Sequence, residues 1–284
     1  MANILIFGAG SMGTAFSFPC SDNTHTVSII GTYLENDFID QINSSRKHPV
    51  LDCEVPKNVR FLKFENFAKE INEKVDLIVI AVIAKGIEWA SVELSKVIKK
   101  NIPILILTKG LAINNNNYEV LAHKMERLLK KNGIKETNIS AAGGPCLAKG
   151  LANKAHTSVV FANKDIKFAK EISKLVSTNY YHVFISDDVI GVEACAAIKN
   201  IFSMAVGASR GLCDSIASKE KNYLNTAAAL IQESIYEMSI FVEKLKGKKE
   251  TVMGLAGIGD LYVSADGGRN SKMGQYLGQG MTFK

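Results

Sequence analysis

A short apolar run that ends in a glycine-spaced turn, within eight residues of the N-terminus, constrains this chain more than any other feature. Ile4-Leu5-Ile6-Phe7 leads directly into Gly8-Ala9-Gly10-Ser11-Met12-Gly13. A continuous apolar stretch of that length suits a buried parallel strand. In a GxGxxG turn between strand and helix, the first glycine allows the tight reversal. The second lets a pyrophosphate approach the backbone, and the third lets the helix lie close on the sheet. The helix N-terminus then offers free N–H groups to phosphates. Gly8, Gly10, Ser11, Met12 and Gly13 are therefore candidate cofactor-binding residues. A glycine turn without a ligand is the alternative, and the strand immediately before the motif disfavours it.

The rest of the first two-thirds repeats the strand pattern. Pro19 is expected to end or kink the first helix, and residues 25–30, rich in β-branched side chains, read as the second strand. A dinucleotide fold usually places an acid at the end of that strand for the ribose 2′-hydroxyl, or a basic residue for a 2′-phosphate. Here the sequence is Gly31-Thr32-Tyr33, with the first acid at Glu35, so the choice between NAD and NADP stays open. Further runs at 75–82, 103–107, 139–142, 158–161 and 181–185 alternate with helical patterns. Such alternation predicts an α/β fold with a doubly wound, mainly parallel sheet. The basic residues of 94–100 and 123–131 recur as solvated helix faces do, and the asparagine stretch 114–117 reads as a loop.

Composition excludes several classes. With 284 residues, 47% hydrophobic and 22% charged, the chain is neither disordered nor collagen-like. A net charge of +6 is too mild to argue a nucleic-acid partner, and the whole excess falls in residues 1–186. Five widely spaced cysteines with no CxxC indicate neither a disulfide framework nor a metal site. The longest uncharged apolar run, 77–84, is too short to cross a bilayer, and no leader pattern opens the chain. A cytoplasmic protein without membrane insertion is expected.

Beyond Asp188 the strand pattern stops. Residues 189–209 form an almost uniformly apolar helical stretch with two charges, Glu193 and Lys199, which predicts a buried helix. Six positions apart, the two are poorly placed to pair along one face, so each needs a partner elsewhere. A desolvated lysine titrates below its usual value of about 10.4, which suits general acid and base work; a lysine snorkelling to the surface is the alternative. A second unusual segment holds eight of the 22 glycines, in residues 254–284. It contains Asp260, Ser264 and the run Gly267-Gly268-Arg269-Asn270, where close backbone approach and a guanidinium fork suit a small phosphorylated molecule.

Taken together, these segments resemble NAD(P)-dependent glycerol-3-phosphate dehydrogenase. The motifs run in order over the whole chain: GAGSMGTA at 8–15, TKGLA at 108–112, GGPCLAKG at 143–150, SDDVIGVEACAAIKN at 186–200, and GLAGIGDL with GGRN around Asp260. The resemblance implies a Rossmann domain over 1–188 and an all-helical substrate domain over 189–284. It further implies reversible reduction of dihydroxyacetone phosphate to sn-glycerol 3-phosphate with NAD or NADP, a role supplying phospholipid synthesis from glycolysis, and a homodimer. By position, Lys199 would be the general acid and base, with Asp260 and Lys109 as its catalytic companions. Lys109, Asn200, Asp260, Ser264, Gly268, Arg269 and Asn270 would bind substrate. Lys109, Ala148 and Arg269 would join the glycine turn in contacting the cofactor.

The chain also departs from the family pattern. Ile83-Ala84-Lys85 stands where Pro-Ser is common, and Cys146 where Ser usually follows Gly-Pro. Gly150 replaces a frequent Glu, and Gln232-Glu233 stands where Thr-Arg is usual. Family members continue past residue 284 into further helices, so the substrate domain is expected to be incomplete. Two other readings are weighed: a two-domain dehydrogenase of another small hydroxy acid or sugar, and a non-catalytic dinucleotide-binding sensor. The Gly-Gly-Arg-Asn run after Asp260 disfavours the first, and the retained Lys199, Lys109 and Asp260 disfavour the second.

Overall fold

The computed structural model of the chain describes residues 1–71, 74–98, 101–215 and 224–282. Lys99, Lys100, Phe283, Lys284 and the side chain of Cys213 lie outside the described residues. Two compact units form, one from Met1–Ala142 with Cys146–Val189 and the other from Gly143–Pro145 with Ile190–Lys284.

The first unit is built on eight strands, β1 (Asn3–Phe7), β2 (Thr26–Ile30), β3 (Val59–Leu62), β4 (Leu77–Ile80), β5 (Ile104–Ile106), β6 (Ile139–Gly143), β7 (Thr157–Ala162) and β8 (Tyr181–Ser186). Their order across the sheet is β8-β7-β6-β5-β4-β1-β2-β3. β1 pairs in parallel with β2 on one side and β4 on the other, with Ile4 opposite Val27 and Leu77. The chain therefore winds outward from β1 to β3 and then returns to β4, which places the topological switch between β1 and β4. β4 is buried at all four positions, as the uninterrupted Leu-Ile-Val-Ile run requires. At the other edge, Asn163 just past β7 bonds Asn138 Oδ1 (2.9 Å) and Ser140 Oγ (2.8 Å) at the entry of β6. β7 therefore runs against β6, and the sheet is mainly parallel.

Two local expectations are corrected, and one strand was not anticipated. Helix α1 (Ser11–Asp22) does not end at Pro19 but continues past it to Asp22. Every residue from Gly13 to Ser21 is buried, and that packing offsets the cost of about 3 kcal/mol that an interior proline carries. The stretch 114–117 is the centre of a β-hairpin, Leu111–Asn114 against Asn117–Val120. Asn115 (φ 48°) and Asn116 (φ 59°) occupy the left-handed region that a tight two-residue turn demands and that asparagine tolerates. β3 was not anticipated, because Val-Arg-Phe-Leu alternates at an edge, with Arg60 exposed, instead of forming an apolar run. Of the basic stretches, 123–131 lies on the helix Leu121–Lys131 and Lys96 on the helix Ile87–Val97, while Lys99 and Lys100 fall outside the described residues.

His48 provides a stability prediction. It is buried beside the glycine turn, and its Nδ1 accepts from the N–H groups of Val50 and Leu51, both at 3.2 Å, which fixes a neutral ring. Burial holds its pKa below the usual 6.5, and burial with the nearby Lys164 does the same for His123. Below about pH 6.5 the unfolded chain binds more protons at these sites than the folded one. Stability should therefore be fully present above that pH and fall as the pH drops toward the lowered values. Urea midpoints at several pH values check this, and His48→Gln should flatten the acid limb.

The first unit also holds α2 (Asn36–Ser45), α3 (Ile87–Val97), α4 (Leu121–Lys131) and α5 (Ile166–Val176), and the second unit is helical, beginning with α6 (Val189–Ser215). After it come α7 (Leu224–Lys244), a π turn at Leu255–Gly259, α8 (Asp260–Gly267) and α9 (Arg269–Gly278). α6 extends the expected 189–209 stretch to Ser215. Residues Val189–Leu212 are long and apolar enough to cross a membrane, yet most of that window is buried inside the protein. Val206 meets Ala227 and Ala265 in a small core shared by α6, α7 and α8. Small residues let α6 and α9 touch through their backbones: a Cβ on Gly207 would stand 2.0 Å from Ser271 O, and one on Gly274 2.0 Å from Met204 O.

Candidate active site

In the first unit, Gly8 has φ 114°, and a Cβ there would meet the carbonyl of Ala81 at 2.8 Å. Gly13 is as constrained, since its Cβ would lie 2.2 Å from Gly8 O. Gly10 differs, because beyond its chain neighbours no atom of the described residues lies within 4 Å of where its Cβ would be. Packing does not require glycine there, and the open space leaves room for a ligand to approach the backbone. The first bond of α1 is Thr14 N–H to Gly10 O at 2.9 Å, so the N–H groups of Ser11, Met12 and Gly13 face out of the helix start. These residues fit a pyrophosphate at the switch point.

A cavity of about 360 Å³ opens beside the turn, walled by Gly8 and Gly10, by Tyr33 and Glu35 after β2, and by Ile83 and Trp89 after β4. Its size and apolar lips suit the adenosine half of a dinucleotide. Glu35 stands at the N-cap of α2 but does not cap that helix. Its Oε2 instead accepts from Thr32 N–H at 2.7 Å and lies 3.4 Å from Ala9 N–H. A separate cavity of about 210 Å³, lined by His123 and Asn138, lies at the entry of β6 and shares no wall with the glycine turn. Gly13→Ala should move the turn and weaken NADH binding at least about tenfold, read by fluorescence titration. An unchanged affinity would remove the turn from the cofactor site.

Lys109 is half-buried just past β5, in a loop tied to the segment after β4 by Thr108 Oγ1, which donates to Val82 O at 2.6 Å. Ala148 opens the short helix Ala148–Ala152.

In the second unit, Lys199 Nζ donates to Asp260 Oδ1 within a buried ion pair. Lys199 is 6% exposed and Asp260 1%. The partner comes from another helix, as the six-residue spacing from Glu193 requires. The π turn delivers Asp260 to this place. Gly257 makes the turn possible, since a Cβ on it would lie 2.0 Å from Val252 O. Ser264, one helical turn after Asp260, is buried on the same face. Gly268 then extends (φ −83°, ψ 148°) as the N-cap of α9, which puts exposed Arg269 and half-buried Asn270 in that helix's first turn. A helix start with a guanidinium beside it suits an anion. Asn200, next to Lys199, is exposed. Two residues escaped the sequence reading as cavity walls, Tyr33 and Trp89, which meet edge to face at 5.2 Å. No local spacing signals that pair.

Residues 3–169 match the family model described as NAD-dependent glycerol-3-phosphate dehydrogenase N-terminus, and residues 188–284 match its C-terminus counterpart. The NADP(+)-dependent glycerol-3-phosphate dehydrogenase of Archaeoglobus fulgidus is 30% identical over 280 residues, covering 99% of this chain and 81% of the relative. Glycerol-3-phosphate dehydrogenase [NAD(P)+] of Francisella tularensis subsp. novicida is 30% identical over 284 residues, covering 99% and 80%. The crystal structure of glycerol-3-phosphate dehydrogenase from Coxiella burnetii superposes with a TM-score of 0.82 at 28% identity, covering 99% and 81%.

Proposed function

The chain belongs to the NAD-dependent glycerol-3-phosphate dehydrogenase family, and we propose that it interconverts sn-glycerol 3-phosphate and dihydroxyacetone phosphate with NAD or NADP. The observation that carries this reading is the buried Lys199–Asp260 pair in a chain that also holds a complete glycine turn. Bound NAD or NADP supplies the hydride donor or acceptor.

The remaining chemistry falls to the chain's own groups. In reduction, Lys199 Nζ gives its proton to the carbonyl oxygen as negative charge develops there, and in oxidation it takes the proton back. Asp260 holds Nζ in place and offsets the cost of keeping an ammonium out of water. Ser264 offers a hydroxyl to the substrate on the Asp260 face. Gly268, Arg269 and Asn270 bind the phosphate at the start of α9. Asn200 and Lys109 are assigned to substrate, and Lys109, Ala148 and Arg269 to cofactor, from their place in the family motifs.

The assay follows NADH and NADPH oxidation with dihydroxyacetone phosphate. Turnover with this substrate, and none with small 2-keto acids, is expected. Tight cofactor binding with no turnover would favour the sensor reading. In the cell, the reaction would supply glycerol 3-phosphate for phospholipid synthesis and draw on glycolysis. A cytoplasmic location agrees with four free cysteines among the described residues. Self-association as a homodimer through exposed apolar side chains such as Ile201, Leu224 and Tyr236 is part of the same reading, and sedimentation tests it.

A further inference from the structure

We propose that Glu35 makes this chain an NAD enzyme by occupying, from outside β2, the place where a 2′-phosphate would have to sit. The inference rests on the dinucleotide-binding reading of the glycine turn.

The usual acid at the end of the second strand is absent, and glycine stands in its stead. Gly31 has a structural consequence: a Cβ there would lie 3.2 Å from Glu35 Cβ and 3.0 Å from Ile39 Cγ1. The missing side chain leaves the room into which Glu35 folds back. Glu35 closes a turn with its own N–H on Thr32 O at 2.9 Å, while its Oε2 accepts from Thr32 N–H at 2.7 Å and faces Ala9 N–H at 3.4 Å. The carboxylate thus bridges the exit of β2 and the first step of the glycine turn. Both Glu35 and Ala9's neighbours Gly8 and Gly10 line the same cavity.

Ribose and 2′-phosphate make opposite demands on this spot. A carboxylate accepts hydrogen bonds from ribose hydroxyls, and among the described residues no backbone donor engages Oε1. A 2′-phosphate there would set two anions side by side, which disfavours its binding. The cation in the cavity wall, Lys85, comes from the loop after β4 and is exposed, so water screens it. Glu35 is held by backbone donors and cannot swing away without leaving them bare. The carboxylate therefore decides. The assignment differs from the NADP preference that the name of the Archaeoglobus fulgidus relative states for that protein.

The test measures binding without substrate. Dissociation constants for NADH and NADPH are obtained by fluorescence titration on the full chain, and those for AMP and adenosine 2′,5′-bisphosphate by calorimetry. NADH should bind at least about tenfold more tightly than NADPH, with the nucleotide pair ordered the same way. Glu35→Gln keeps the shape and an acceptor for the backbone while removing the charge. It should shrink the NADH to NADPH ratio at least about fivefold, chiefly by tightening NADPH. Lys85→Ala should leave the ratio within about twofold. Thermal unfolding of each variant establishes that it is folded. Wild type that binds NADPH as tightly as NADH, or a ratio unmoved by Glu35→Gln in a folded variant, overturns the proposal. Failure to bind either dinucleotide overturns it together with the cofactor reading. NADH-selective binding with no turnover on dihydroxyacetone phosphate upholds it while sinking the proposed reaction.

Discussion

Lys199→Ala should lower kcat for dihydroxyacetone phosphate reduction by at least about 100-fold, the range lost when a positioned general acid is removed. The expectation follows from the burial of the pair. Lys199 is 6% exposed and Asp260 1%, so the pair is shielded from bulk water, which is poorly placed to deliver the proton instead. The same burial complicates the single variant. Deleting the lysine removes the ammonium that faces a buried carboxylate in the helical unit, at a cost of about 3–5 kcal/mol in stability. A loss of activity could then be a loss of fold. Lys199→Met combined with Asp260→Asn removes both charges, so it should recover most of that stability and none of the activity. Steady-state rates at saturating NADH, read beside thermal midpoints, distinguish the two effects. A folded double variant with near wild-type kcat would end the role assigned to Lys199. Asp260→Asn alone should retain more activity than either, because it disturbs the holder of the proton and not the group that carries it.

What could be read in the sequence follows how local each cause is. β1, β4 and β5 were legible because strands buried on both faces must be apolar without interruption, and the glycine turn was legible because its three glycines answer to contacts within a few residues. Pro19 misled because its cost is local whereas the burial of residues 13–21 that offsets it is tertiary. Asn115 and Asn116 misled in the other direction: their backbone preference makes a hairpin turn, but only with strands on both sides. In the site, Lys199 announced itself as a charge in an apolar helix. Its partner Asp260 lies 61 positions away on another helix, and no periodicity connects them. Glu35 shows the same limit. It was visible as the first acid after β2, yet its purpose depends on the space that Gly31 leaves, which only three dimensions disclose.

Gly274→Val should destabilise the helical unit by about 3 kcal/mol or more, beyond the common range for an overpacked site, because the obstruction is backbone. The crossing of α6 and α9 is built on glycines four apart on both helices. A Cβ on Gly207 or Gly211 would lie 2.0 Å from the carbonyl oxygens of Ser271 and Gln275, and one on Gly274 or Gly278 2.0 and 2.1 Å from those of Met204 and Ala208. Side chains can turn aside, but a helical carbonyl cannot move without its helix. The two helices must therefore separate, and α9 carries Arg269 and Asn270 while α6 carries Lys199. Loss of stability should come with a raised KM for dihydroxyacetone phosphate. A second substitution separates this clash from the general preference of helices for residues other than glycine. Gly150→Ala lies in the short helix Ala148–Ala152, where the added Cβ would meet nothing closer than Ala155 Cβ at 3.9 Å. It should stabilise by about 0.5–1 kcal/mol, since alanine restricts the unfolded chain more than glycine. Gly207→Ala adds the same methyl group to a helix and should act with the opposite sign. If urea unfolding gives both alanine variants the same sign, the glycines on α6 do not owe their place to the crossing.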